Sequence, residues 1–148
     1  MNKNAIKRYA VWARSELIDR VSKKSMRYGI APDIHADPKA DSVDGRLLSD
    51  TEKKQRAALI KRVAAYGYEQ TMEEAAYTWF NRFAALRFME VNSYLPSHVR
   101  VFTNDAGEFK PQILAEAIHL DLSGLDKENV YALKEANDEE ALFRYLII

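Results

Sequence analysis

The chain has no cysteine, which excludes disulfide frameworks, zinc knuckles, iron–sulfur ligation and thiol nucleophiles. Glycine is scarce: Gly29, Gly45, Gly67, Gly107 and Gly124 are the whole set. None falls in a G-x-G pattern, so neither a dinucleotide fingerprint nor a phosphate-cradling loop is present. No G-x-S-x-G elbow and no nuclease-like cluster of acids with a lysine stands out. The three histidines, His35, His98 and His119, are dispersed and read as surface or turn residues. No apolar run approaches the ~18 residues that a membrane helix needs, and the N-terminus lacks the apolar core of a signal peptide. The expectation is a soluble, cytoplasmic chain with no membrane partner. An excess of charge of one sign is also missing, with 22 basic and 22 acidic residues, which removes the whole-chain signature of a histone-like DNA coater.

What is present is enough for a proper core. The chain has 148 residues, 47% of them hydrophobic and 30% charged, which suggests one domain, with room for a small appendage. The neutral total hides a gradient. Residues 1–30 carry a net +6, residues 31–50 −3, residues 51–100 +3 and residues 101–148 −6. Such a dipole is read first as ends that attract each other or solvate different faces, and second as a basic front that meets a polyanion.

Periodicity predicts a mainly α fold. Ile6, Ala10, Ala13, Leu17 and Val21 form one stripe of a helix over 4–28, flanked by Tyr9 and Trp12 and stopped at Gly29. Lys3, Lys7 and Arg14 share one margin of it, but Arg8, Arg20 and Lys23 do not. The basic charge therefore wraps the helix, which weakens a DNA-groove reading. Residues 31–48 read as a flexible loop, and Asp33-x-His35-x-Asp37 within it as a solvated acidic cluster, since its spacing matches no established metal site. Ser49 and Glu52 form a capping box that opens a helix through Tyr66. Thr71, with Glu74 in the reciprocal position, is the expected cap of the next helix, Met72 to Val91, which is apolar nearly all round and belongs at the centre of a core. Trp79, Asn81, Arg82, Phe83 and Arg87 on it are expected to form a structural core network, because buried charges require partners. Trp79→Ala or Phe83→Ala would then cost about 3–5 kcal/mol.

Past Asn92 the alternation Val99-Arg100-Val101-Phe102-Thr103 and the turn Asn104-Asp105-Ala106-Gly107 predict a short β-hairpin near 99–109. Pro111 opens a short helix to Ile118, another runs from Asp126 to Glu135, and Asn137 or Asp138 caps a last one. That one ends in Leu146, Ile147 and Ile148, and three aliphatics at a chain end suggest a piece cut from a longer protein. The fold class expected is a multi-helix bundle around a central buried helix at about 72–91, with one hairpin near 99–109.

Two stretches carry a specific resemblance: YTWFNRFAALRFMEVNSYLPSHVRVF, Tyr77 to Phe102, and EAIHLDLSGLDKENVYALKEANDEEALFRYLII, Glu116 to Ile148. Both resemble the N-terminal region of the PglX family, adenine-specific DNA methyltransferases of the BREX phage-resistance systems. The opening MNKNAIKRYAVWARSELIDRV and the segment DGRLLSDTEKKQRAALIKRVAAYGYEQTMEEAAYTWFNRF resemble the same region, so that only about residues 31–43 fall outside it. The tract around Trp79-Phe80-Asn81-Arg82-Phe83 and Leu86-Arg87-Phe88-Met89-Glu90 is the most specific part.

The resemblance implies that residues 1–148 are a helical N-terminal domain, followed in the whole enzyme by an S-adenosylmethionine-binding methyltransferase domain and a target-recognition domain. Methyl transfer to a flipped-out adenine would take place there. The family's tetrapeptide of Asn or Asp, two prolines and an aromatic has no counterpart here, because Pro32, Pro38, Pro96 and Pro111 are never adjacent. No catalytic, cofactor-binding or metal residue is therefore assigned to this chain. Its expected partners are the methyltransferase domain, DNA in the whole enzyme and other BREX proteins, with residues 99–109 and the apolar terminus as docking surfaces. Lys3, Lys7, Arg8, Arg14, Lys53, Lys54 and Arg56 are the candidate phosphate contacts, for weak binding that ignores base sequence. The alternative is a stand-alone helical interaction module of a defence system that does not bind DNA.

Overall fold

A computed structural model of the protein describes residues 2–33 and 36–148. In chain order it has α1 (Lys3–Met26), β1 (Ser42–Val43), β2 (Arg46–Leu47), α2 (Asp50–Tyr66), α3 (Tyr68–Val91), α4 (Gln112–Ala115), a 3-10 turn at Ala117–His119, α5 (Lys127–Glu135) and α6 (Glu139–Ile147). The class is mainly α, with one antiparallel strand pair among the described residues. The chain divides into two compact units, Met1–Arg82 and Phe83–Ile148.

In the first unit the sequence signals set the helix ends. Asn2 caps α1 by accepting from the Ala5 N–H at 3.1 Å. The capping box at Ser49 and Glu52 is present with both bonds, and Gly67 closes α2 at φ 86°. Thr71 does not cap α3. The helix already starts at Tyr68, and the Thr71 hydroxyl donates to the Gly67 carbonyl one turn back at 2.7 Å. Gly67 ends one helix so tightly that the next begins within a residue, which leaves Thr71 inside it.

The apolar core of this unit is small: Ala13, Ile30, Leu48, Met72 and Ala76, with Ser25, Arg56 and Thr71 buried beside them. Polar bonds supply much of the order. The Ser25 hydroxyl donates to the Ile30 carbonyl at 3.0 Å and lies 2.8 Å from the Tyr68 hydroxyl, tying the end of α1 to the start of α3. Arg56 projects from α2, donates through Nε to the Tyr28 carbonyl at 2.7 Å and through Nη1 to the Asp37 carbonyl. One guanidinium thus holds both ends of the segment 28–37 against α2.

The strand pair lies in the stretch expected to be irregular, and not at 99–109. Asp44 and Gly45 both have positive φ, 49° and 78°, the backbone of a two-residue hairpin turn for which Asp-Gly is a favoured sequence. Ser42 pairs with Leu47 and Val43 with Arg46. Val43 packs over Gly29, where an added Cβ would lie 3.3 Å from it.

Residues 99–109 are not a hairpin for a definite reason. The alternation is real, with Val101 and Thr103 buried, and the turn forms, the Gly107 N–H reaching the Asn104 carbonyl at 3.0 Å. The ladder donors are taken by side chains instead. The Phe102 N–H donates to Glu90 Oε2 at 2.6 Å and the Arg100 N–H to Gln112 Oε1 at 3.1 Å.

Glu90 is the hub of the second unit. Its side chain is fully buried and accepts from Arg87 on the preceding turn, from the Thr103 hydroxyl at 2.7 Å and from the Phe102 N–H. Burial pushes its pKa up. The hydrogen bonds from Thr103, from the Phe102 and Val101 backbone and from Arg87 outweigh that push, and the net shift is downward. Around this hub Leu95, Val101, Ile113 and Leu120 form one cluster, and Ala117, Val130 and Leu142 a second. Leu125 and Leu146 pack against both.

Helix α3 is buried at Thr71, Met72, Ala76 and Glu90 only, while Tyr77, Phe88 and Val91 stay exposed. It is therefore one-sided, and not covered all round. Within the expected core network, Arg82 lies over the Trp79 ring at 5.1 Å and Phe83 meets Phe102 edge-on at 6.0 Å. Asn81 is exposed. Trp79 and Phe83 are partly buried, which lowers the cost expected of truncating either.

Met72→Ala should cost about 2–5 kcal/mol in denaturant unfolding, as a fully buried side chain does, and Tyr77→Ala on the open face no more than about 0.5 kcal/mol. Equal losses would mean that the open face of α3 is covered in solution. Glu52 gives a pH signature. Its pKa falls to about 2, because the Ser49 N–H and Arg46 donate to the carboxylate and outweigh its desolvation, with a smaller contribution from the Tyr28 hydroxyl. A depressed carboxyl pKa contributes stability that is complete above the unfolded value of about 4.3 and is lost as pH falls through the folded one. Glu90 acts in the same direction. Acid unfolding should steepen below about pH 4, and Glu52→Gln should flatten that limb while lowering stability at neutral pH. An acid limb unchanged by the substitution would contradict this.

Candidate functional site

The seven candidate phosphate contacts divide by environment. Lys3, Lys7 and Arg8 lie in the first two turns of α1, exposed, with no ion pair among the described residues. Arg14, one to two turns further on, donates through Nε to Glu73 Oε1 of α3 at 3.1 Å. Lys53 pairs with Asp41 at 2.6 Å. That pair raises the lysine pKa and lowers that of the aspartate, in each case chiefly through the hydrogen bond between them. Lys54 is exposed. Arg56 is 6% exposed and its guanidinium is committed to carbonyls of the loop. The sequence puts the seven in one class; among the described residues Lys3, Lys7, Arg8 and Lys54 have no ion partner, Arg14 and Lys53 pair with carboxylates, and Arg56 is held by backbone carbonyls.

The exposed stretch of α1 carries more than charge. Every residue from Asn2 to Tyr9 is exposed, as are Val11 and Trp12, with Ala10 intermediate and Ala13 the first buried position. Tyr9 is 60% and Trp12 59% exposed, their ring centroids 5.8 Å apart. The sequence signal for this was available: both rings sit off the apolar stripe that Ala13 and Leu17 continue. Further along, α1 is held by the Arg14–Glu73 pair, the Ser25 bonds and the internal pairs Glu16–Arg20 and Asp19–Lys23.

No three His, Asp or Glu side chains converge as a metal group would require among the described residues. His35, the middle of the acidic cluster, lies outside them. His98 and His119 are exposed. No helix is long and apolar enough to cross a membrane. The second unit has two open grooves of mixed lining. One, of about 480 Å³, is lined by Phe109, Pro111 and Leu114 together with Lys110, Lys134 and Glu139. The other, of about 600 Å³, is lined by Leu122, Leu125, Tyr145 and Leu146 together with Asn129 and Arg144. Both involve the expected docking segments, but Val101 and Thr103 of the first are turned into the core.

No known family profile matches the chain. No solved structure matches it either. Two proteins are similar to it along its length. The adenine-specific methyltransferase PglX of Lacticaseibacillus casei (strain Zhang) is 34% identical over 95% of this chain. The adenine-specific methyltransferase BrxX of Escherichia coli O9:H4 (strain HS) is 30% identical over all of it. The chain spans 13% of the length of each. The chain is thus similar, along essentially its whole length, to one stretch of two adenine-specific methyltransferases.

Proposed function

We propose that this chain is the helical N-terminal domain of a PglX-like, S-adenosylmethionine-dependent, adenine-specific DNA methyltransferase of a phage-defence system, and that it supports the catalytic domain without performing the transfer. The observation that carries this is the match of essentially the whole chain to a 13% stretch of two methyltransferases. One segment of a large enzyme that shares no proline-pair motif with its catalytic loop has an architectural part to play. The grooves along α4, α5 and α6, lined by both apolar and polar side chains, suit that part. Phe109, at 83% exposure, and Ile148, at 72%, offer side chains for a neighbouring domain to cover. Site-specific methylation, the cofactor, the other BREX proteins as partners and a cytoplasmic setting all belong to the proposed whole enzyme.

The isolated chain should give no saturable heat of binding with S-adenosylmethionine and no methyl transfer to DNA. In an enzyme that includes it, deletion of residues 1–148 should abolish adenine methylation of the host genome, read by modification-sensitive sequencing. A stoichiometric cofactor site on the chain alone would overturn the supporting role. A deletion enzyme that methylates normally would instead favour the stand-alone interaction module.

A further inference from the structure

We propose that the first three turns of α1 are an arm for duplex DNA, with Lys3, Lys7 and Arg8 contacting phosphates and Tyr9 and Trp12 packing against sugars and base edges. The proposal rests on the exposure and charge of α1 and stands apart from the supporting-domain reading.

Charge that wraps a helix argues against groove binding only where one side of the helix is buried. Here the arm is open on every side: Asn2 to Tyr9, Val11 and Trp12 are all exposed. A helix about 10–12 Å across fills a major groove about 12 Å wide. Its cations then meet phosphates of both strands, so positive charge is useful on opposite flanks. At 3.6 residues per turn, Lys3 and Lys7 lie on one flank and Arg8 on the other. The eleven residues from Asn2 to Trp12 reach about 16 Å at 1.5 Å each.

Pairing distinguishes the early turns from most of the later ones. The later cations Arg14, Arg20 and Lys23 are matched by Glu73, Glu16 and Asp19, while Lys24 lies over the Tyr28 ring. The early ones have no ion pair among the described residues, and the first acidic residue of the chain is Glu16. The complement of this surface is therefore anionic. It also has to accept aromatic rings, since Ile6, Tyr9, Val11 and Trp12 are all about half exposed or more. Nucleic acid offers both features.

A lipid surface fits less well. An interfacial helix needs its apolar and charged faces segregated, whereas Arg8 projects between Val11 and Trp12 around the helix and would be driven into the acyl region with them. A helix-in-groove protein partner needs the same single apolar face.

The test is binding of the 148-residue protein to a labelled duplex oligonucleotide, followed by anisotropy from low to physiological salt. Lys3→Glu/Lys7→Glu/Arg8→Glu should weaken binding at low salt by about tenfold or more, and flatten the salt dependence by about one unit for each lost contact. A control with the same change in net charge, Lys39→Glu/Lys61→Glu/Lys127→Glu, reverses exposed lysines outside the arm and should have a much smaller effect. In a Trp79→Phe background Trp12 is the sole indole, and its emission should change on DNA addition. All substituted arm residues are solvent-exposed, so circular dichroism should show native helix content. Equal weakening by arm and control variants would overturn the proposal. So would silent Trp12 emission, or a Trp12 response to phosphatidylglycerol vesicles with none to DNA. Failure of the cofactor and deletion tests, with these results positive, would remove the supporting-domain reading and leave the arm.

Discussion

An ionised side chain taken out of water is stable only if protein groups replace the lost solvation, at a cost otherwise of several kcal/mol. Each unit of this chain meets that constraint once, and its irregular segments are arranged around the solution. In the first, Arg56 is solvated by the Tyr28 and Asp37 carbonyls. In the second, Glu90 is solvated by Thr103, the Phe102 N–H and Arg87. Neither segment has a regular ladder of its own at those points. The buried charge needs the loop backbone, and the loop backbone needs the charge, so helix and loop order together.

The surface divides along the same line. The first unit carries sixteen basic and eleven acidic residues, the second six and eleven. Lys3, Lys7 and Arg8 in the early turns of α1 are exposed without ion pairs among the described residues, while Phe109 and Ile148 are exposed at the grooves beside α4, α5 and α6. A polyanion complements the first of these surfaces and a neighbour with apolar side chains the second.

Local rules located most of the helices. Asn2, Ser49, Asp126 and Asp138 cap where side-chain chemistry allows, and Gly29 and Gly67 stop helices in positive φ. Local rules failed where two signals competed for one stretch of backbone. Thr71 is a plausible cap in isolation, but Gly67 had already released the chain into α3. The alternation at 99–103 is a genuine burial pattern, yet strand pairing lost its donors to Glu90 and Gln112, side chains from elsewhere in the sequence. The Asp44-Gly45 turn was legible in principle and was masked by the many loop-forming residues around it. Glu90 was missed because a single acid in an apolar run looks like a surface interruption.

The sequence by itself determined that the chain is mainly helical, where most helices begin and end, that charge is graded along it, and which family it resembles. The helices and the charge gradient follow from short-range periodicity, capping and composition, which act within a few residues, and the resemblance rests on the residue strings from Tyr77 to Phe102 and from Glu116 to Ile148. Only the tertiary structure decided which cations are spent internally. Arg56, Arg14 and Lys53 read like Lys3, Lys7 and Arg8 in one dimension, but the availability of a charge depends on groups distant in sequence: a carbonyl at Tyr28, a carboxylate at Glu73, another at Asp41. Burial and pairing are properties of neighbours in space, and no local pattern specifies who those neighbours are.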